Sequence, residues 1–111
     1  MIAMRFSNET DAARQAGIPL VALESTLISH GLPHPDNCDV ARRAEEAVRG
    51  AGAAPATMAV LDGVVNIGLD DAAITQLATQ AGVVKLSRRD LPVALSGSEV
   101  APTAGATTVS A

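Results

Sequence analysis

The chain has 111 residues and a mass of 11.2 kDa; 48% of it is hydrophobic and 18% charged, with 12 acidic against 8 basic side chains and a net charge of −4. That is the length of one domain, and a pI near 4.9 with no basic run argues against binding a nucleic-acid polymer. The single cysteine, Cys38, excludes an internal disulfide framework, and with two histidines it falls short of a closed four-ligand zinc site.

The longest charge-free apolar stretch, residues 50–61, is interrupted by Pro55 and is too short for the ~20 residues of a membrane helix. The start, MIAMRFSN, lacks the long apolar segment of a secretory leader, so the expected address is cytoplasmic, with no membrane partner. One Phe (Phe6) and no Trp or Tyr leave a core of Ala, Val, Leu and Ile, which is thin at this length. Such a core is expected to be completed by a partner chain or by more of the same polypeptide.

Ser7 to Asp11 followed by Ala12, Ala13, Gln15 and Ala16 predicts a short capped helix stopped at Gly17. Ile18–Leu23 is an apolar run of the buried-strand type ending at Glu24-Ser25-Thr26, and Ser29–Asp36, with its glycine and two prolines, reads as a loop. Pro35 and Asp36 open a second helix whose apolar stripe is Val40, Ala41, Ala44, Ala47 and Val48, ending near Gly50 to Gly52. Thr57–Leu61 is a strand, Asp62-Gly63 a hairpin turn and Val64–Ile67 the returning strand.

Asp70-Asp71 starts a third helix with Ile74, Leu77, Ala78 and Ala81 on one face and Gly82 after it. Val83–Leu86 is another strand, Ser87–Leu91 a cap and helical turn that accommodates Pro92, and Ser96–Ala104 a loop. Gly105–Ala111 has the small and hydroxyl residues of a helix start with no helix body after it, so the chain is expected to be truncated. Helices alternating with buried strands give an α/β fold with a β-hairpin around Asp62-Gly63; residues 1–111 are read as a single partial domain.

Glu24 follows an apolar strand, where ligands of open α/β sheets collect. There it is either a general acid or base with a raised pKa, or a solvated carboxylate capping the next turn. Lys85, Ser87 and Arg88 sit close enough together to hold a phosphate; otherwise Lys85 is an edge-strand lysine with its head in water. Thr107 and Thr108 offer hydroxyls and amides at the expected helix start, as a phosphate cradle or as ordinary caps. His30 and His34 are four apart, but Gly31, Pro33 and Pro35 rule out a continuous helix, so the spacing loses its meaning; a weak metal site with Asp36 is the lesser reading, and no metal ligand is assigned. Cys38 is a small core residue or a thiol activated by a helix N-terminus.

Three segments in order, VALESTLISHGLP (Val21–Pro33), KLSRRDLP (Lys85–Pro92) and GATTV (Gly105–Val109), with Pro55-Ala56-Thr57 and Asp62-Gly63 between them, resemble the pseudouridine-5'-phosphate glycosidase family, also called indigoidine synthase A-like. The resemblance runs from about Gly17 onward and implies the N-terminal portion of a layered α/β glycosidase fold, trimeric in the family. It implies reversible cleavage of the C–C glycosidic bond of pseudouridine 5'-phosphate to uracil and ribose 5-phosphate. In the family a lysine forms a Schiff base at the sugar's anomeric carbon, a glutamate moves the proton that releases uracil, and manganese is required.

By position, Glu24 matches the proton-transferring glutamate, Lys85 a lysine on the substrate's phosphate side and Val109 a substrate-contacting position. The nucleophilic lysine and the manganese-binding aspartate of the family lie beyond residue 111. Lys85, the only lysine here, is already matched to substrate binding. The loop from Val93 to Ala104 is a few residues longer than in the family. The resemblance therefore implies a glycosidase fragment inactive alone, the other reading being a non-catalytic sugar-phosphate-binding module completed by a partner chain.

Overall fold

The computed structural model describes residues 2–99, 101–108 and 111. Along them run β1 (Met4–Phe6), α1 (Asn8–Ala16), β2 (Leu20–Leu23), a π-helical turn (Leu27–Gly31), α2 (Asp36–Gly50), β3 (Ala54–Leu61), β4 (Val64–Ile67), α3 (Asp71–Thr79), β5 (Val84–Leu86), a 3₁₀ turn (Arg88–Asp90), α4 (Leu91–Ala94) and β6 (Ala104–Thr107). The architecture is mixed α/β, as the alternation of apolar runs and helical stripes requires.

Local chemistry fixes the element ends. The Ser7 hydroxyl accepts the Thr10 N–H at 3.2 Å, and Gly17 takes the left-handed conformation (φ 73°) that ends α1. Asp70 caps α3 by accepting the Ala73 N–H at 2.8 Å. Asp62 (φ 49°) and Gly63 (φ 74°) both adopt positive φ, the pair of conformations that turns β3 tightly into β4.

The sheet is organised around β3. Its first half, Ala54 to Thr57, pairs in parallel with β2, and its second half pairs antiparallel with β4 and with β6. β1 lies parallel to β4 and β5 parallel to β6, giving the order β1-β4-β3-β6-β5. β2 and β6 therefore run in opposite directions along β3 and end against each other near Met58.

Alternation along β3 separates two apolar clusters. Ala59 joins Ile28, Cys38, Ala41, Leu69, Ile74, Leu77 and Ala104 on the face covered by helices, whereas Val60 meets only Leu86 and Ala94 as buried partners on the other. Cys38 is 2% exposed and is a core residue.

Three expectations are corrected. Residues 104–107 form β6 instead of opening a helix. The small residues that suit a helix start also fit a crowded central strand: all four of its residues are buried, and a Cβ at Gly105 would run into the Leu86 side chain. β1, unanticipated, is three residues whose first two are exposed; its place is set by pairing with β4, which no local pattern announces. β3 begins at Ala54, not Thr57, because β2 supplies a partner to its first half.

Candidate functional site

Glu24 is the first residue after β2 and is exposed, while the next residue, Ser25, is completely buried. Ser25 closes the head-on junction of β2 and β6. Its N–H donates to the Thr107 carbonyl at 3.0 Å, and its hydroxyl donates to the Met58 carbonyl while accepting the Thr107 N–H at 2.9 Å. The Thr107 hydroxyl donates to the same Met58 carbonyl at 2.9 Å. The junction is over-determined, and it fixes the backbone from which the Glu24 carboxylate projects.

The next link runs to β5. The Thr108 N–H donates to the Leu86 carbonyl at 3.0 Å, so the ends of β2, β6 and β5 form one hydrogen-bonded series. Segments some eighty residues apart in sequence thereby converge at the carboxyl ends of strands, the position at which open α/β sheets take ligands.

Thr107 is buried and its hydroxyl serves the junction, while half-buried Thr108 lines an apolar groove beside Leu23 and Met58. Val109, matched by resemblance to a substrate-contacting position, lies outside the described residues.

Lys85 sits in β5, the sheet's last strand, and is exposed. It lines a cleft of about 400 Å³ with Arg89, Asp90, Val93 and Pro102. Arg89, rather than Arg88, is the second cation of that cleft, a choice that the turn geometry makes and that two adjacent arginines in sequence leave open. Ser87 is held by Asp90, whose Oδ2 accepts both its N–H and its hydroxyl at 2.8 Å. The backbone N–H of Ser87 first, then its hydroxyl, hold the Asp90 carboxyl below its ordinary value of 3.8. Arg88 is exposed on the same turn.

Sequence reading missed Ser25 as a structural joint; a serine between an apolar run and a polar loop carries no sign of its partners. It also missed the Thr26 hydroxyl, buried and without a hydrogen-bond partner among the described residues. An unmet buried hydroxyl costs on the order of 1–3 kcal/mol and asks for an explanation. Here it stands two residues from Glu24. His30 pairs with Ser29 (Oγ to Nδ1, 2.8 Å), and both His30 and His34 are exposed. Among the described residues no three His, Cys, Asp or Glu side chains cluster to hold a metal ion. No helix among them is long and apolar enough to cross a membrane.

The family described as indigoidine synthase A like protein matches residues 9–111. The chain is 53% identical over 108 residues to pseudouridine-5'-phosphate glycosidase of Jannaschia sp. (strain CCS1), covering 97% of itself and 34% of that protein. It is 49% identical, with the same coverage, to the enzyme of that name from Roseobacter denitrificans. The chain thus spans about a third of the length of the curated relatives it matches. Among solved structures it resembles prealnumycin C-glycosynthase AlnA in complex with ribulose 5-phosphate (TM-score 0.79, 39% identity, 97% of this chain and 33% of that one). It also resembles an indigoidine synthase A-like protein from Thermotoga maritima (TM-score 0.78, 27% identity, 98% of this chain and 34% of that one). With its sequence matched almost end to end, and its α/β sheet shared with solved members, the chain belongs to the indigoidine synthase A-like family.

Proposed function

We propose that this chain forms the N-terminal third of a pseudouridine-5'-phosphate glycosidase and carries its proton-transferring glutamate and part of its phosphate site. The observation that supports this reading is the convergence of Glu24-Ser25, Thr107-Thr108 and Leu86-Ser87 through the bonds Ser25 N–H to Thr107 and Thr108 N–H to Leu86. These are the three segments that resemble the family, and they meet nowhere along the sequence.

In this reading a lysine outside these residues displaces the ring oxygen at the sugar's anomeric carbon and opens the ring as a covalent amine adduct, in which the C–C bond to uracil is still intact. Glu24 donates a proton to the uracil carbon that loses its bond, the bonding pair leaves with uracil, and the lone pair of the lysine nitrogen forms the Schiff base on the sugar fragment, which water hydrolyses to ribose 5-phosphate and free lysine. Lys85 and Arg89 compensate the phosphate charge at the β5 edge, with Ser87, Arg88, Thr108 and Val109 around the substrate. Manganese, required in the family, belongs to the part that supplies the aspartate ligand. The working assembly is the family's trimer, and its address is cytoplasmic.

The test is uracil release from pseudouridine 5'-phosphate, followed by chromatography. The isolated chain is expected to release none. Joined in one polypeptide to the remaining two thirds of the Jannaschia relative, it is expected to be active and to lose at least about a hundredfold on Glu24→Gln, the usual scale for a general acid–base group. Full activity of the Glu24→Gln variant would sink the assignment.

The cationic cleft supports a second reading, in which the chain binds a sugar phosphate without turning it over. Saturable binding of ribose 5-phosphate by the isolated chain, abolished by Lys85→Met, would support it.

A further inference from the structure

Thr26 is held on both sides, yet its hydroxyl is satisfied on neither. Before it, Ser25 is bonded into the β2–β6 junction. After it comes the π-helical turn, whose Ile28 carbonyl accepts the side-chain amide of buried Asn37 at 2.9 Å. The same amide donates to the Ala78 carbonyl of α3 at 3.0 Å, so the turn is anchored to two helices. Between these anchors the Thr26 hydroxyl is buried with no hydrogen-bond partner among the described residues.

Other threonines of the chain do not share this condition. Thr10, Thr75, Thr79 and Thr107 donate their hydroxyls to backbone carbonyls, and Thr57 donates to the Glu45 carboxylate at 2.7 Å. A helical threonine commonly bonds the carbonyl four residues back, as Thr75 and Thr79 do. Four residues before Thr26 is Ala22, which lies in β2 and not in a helix. The turn that follows is π-helical, a rare form found mostly at functional sites.

We propose that Thr26 is a positioning residue whose hydroxyl donates to the Glu24 carboxylate in the substrate-loaded site. The inference rests on the proposed function and deepens it. Glu24 is the nearest acid in sequence and is exposed, so its side chain is free to turn in when substrate arrives. As it gives its proton to the uracil carbon, Glu24 becomes charged in a site from which substrate has displaced water. The Thr26 hydroxyl keeps its own proton and hydrogen-bonds the carboxylate as that charge develops. A hydroxyl already bonded to a carbonyl would first have to release it, whereas an unmet one is a donor with no such reorganisation. The cost of leaving it unmet is carried by the resting protein.

The test uses the chain joined to the remaining two thirds of the Jannaschia relative, with uracil release as the readout. Thr26→Val keeps the shape and removes the hydroxyl; kcat is expected to fall at least about tenfold with KM unchanged. Thr26→Ser should restore kcat to within about threefold, because it returns the donor. In the Glu24→Gln background Thr26→Val should cost less than about twofold, since the two residues act as a unit. Without substrate, Thr26→Val should be at least as stable to denaturant as the parent, because it removes an unmet hydroxyl. Unchanged kcat overturns the proposal. A stability loss does so too, by giving the hydroxyl a partner in the resting protein, and so does an equal loss of kcat in both Glu24 backgrounds. Full activity of Glu24→Gln removes the glutamate assignment itself. Loss in Glu24→Gln with none in Thr26→Val keeps that assignment and removes only the role of Thr26.

Discussion

The β2–β6 junction and the β5 edge are neighbours linked by one backbone hydrogen bond, Thr108 N–H to Leu86, yet they are built on opposite principles. At the junction Ser25 is 0% exposed and Thr107 5%, and every polar atom of the cluster Ser25, Met58 and Thr107 described above has its partner inside the protein. At the edge Lys85, Arg88 and Arg89 are all exposed, and only Ser87 is held, by Asp90. Under the proposed function the contrast separates two tasks. Glu24 transfers a proton, and the backbone it stands on is held by the Ser25 and Thr107 bonds. Under the same proposal Lys85, Arg88 and Arg89 meet a phosphate, and their exposure leaves them in water before it arrives.

That contrast is open to direct attack. Ser25→Ala carries the largest expected effect. It leaves the buried Thr107 N–H without its acceptor, and a loss of about 2 kcal/mol of stability is expected from an unsatisfied buried donor. Denaturant unfolding checks this, and a loss below about 0.5 kcal/mol, the scale of ordinary surface changes, would show the junction to be less rigid than its hydrogen bonds indicate. Lys85→Met combined with Arg89→Met should change stability within about ±0.5 kcal/mol, as exposed substitutions do, while abolishing whatever ribose 5-phosphate binding calorimetry detects. A large stability loss there would make the edge structural after all.

Acid offers the finest discrimination. The Asp90 carboxyl is held below 3.8 by the Ser87 backbone and hydroxyl, so the stabilisation it gives its turn is complete above that ordinary value. It is lost as the pH falls through the lowered folded value. The junction contains no titrating side chain among Ser25, Met58 and Thr107. Amide exchange followed below pH 4, with intrinsic rates divided out, should therefore loosen Ser87 before Ser25, and Asp90→Asn should remove the difference. Simultaneous loosening of both amides would show that the two regions unfold as one.

The sheet's less covered face adds a third term to this comparison. The helix-covered face buries Ile28, Ile74 and Leu77 to 2% exposure or less, while the other has α4 and three buried apolar side chains. The absence of Trp and Tyr in the composition predicts a thin core without saying where it is thinnest. Only the topology shows which face is less covered.

Much of the fold was legible because it is set locally. Ser7, Gly17, Asp70 and the Asp62-Gly63 turn act through contacts within a few residues, and the first two helices and the hairpin stand where those signals placed them, whereas α3 starts at its Asp70 cap but ends at Thr79, leaving Ala81 exposed outside it. Glu24 and Lys85 stood out for the same kind of reason, a charge at the edge of an apolar run. What local chemistry does not encode is partnership across the chain. Gly105-Ala106-Thr107 has helix-start composition and becomes a strand, because a narrow slot between β3 and β5 accepts only small side chains there. Ser25 gives no local sign of meeting Thr107, and of two adjacent arginines only the turn decides that Arg89 enters the cleft. The sequence by itself determined the α/β class and the hairpin, since these follow from period and turn geometry. The tertiary structure alone decided which strand ends meet and which face is less covered, since both depend on pairings between residues tens of positions apart.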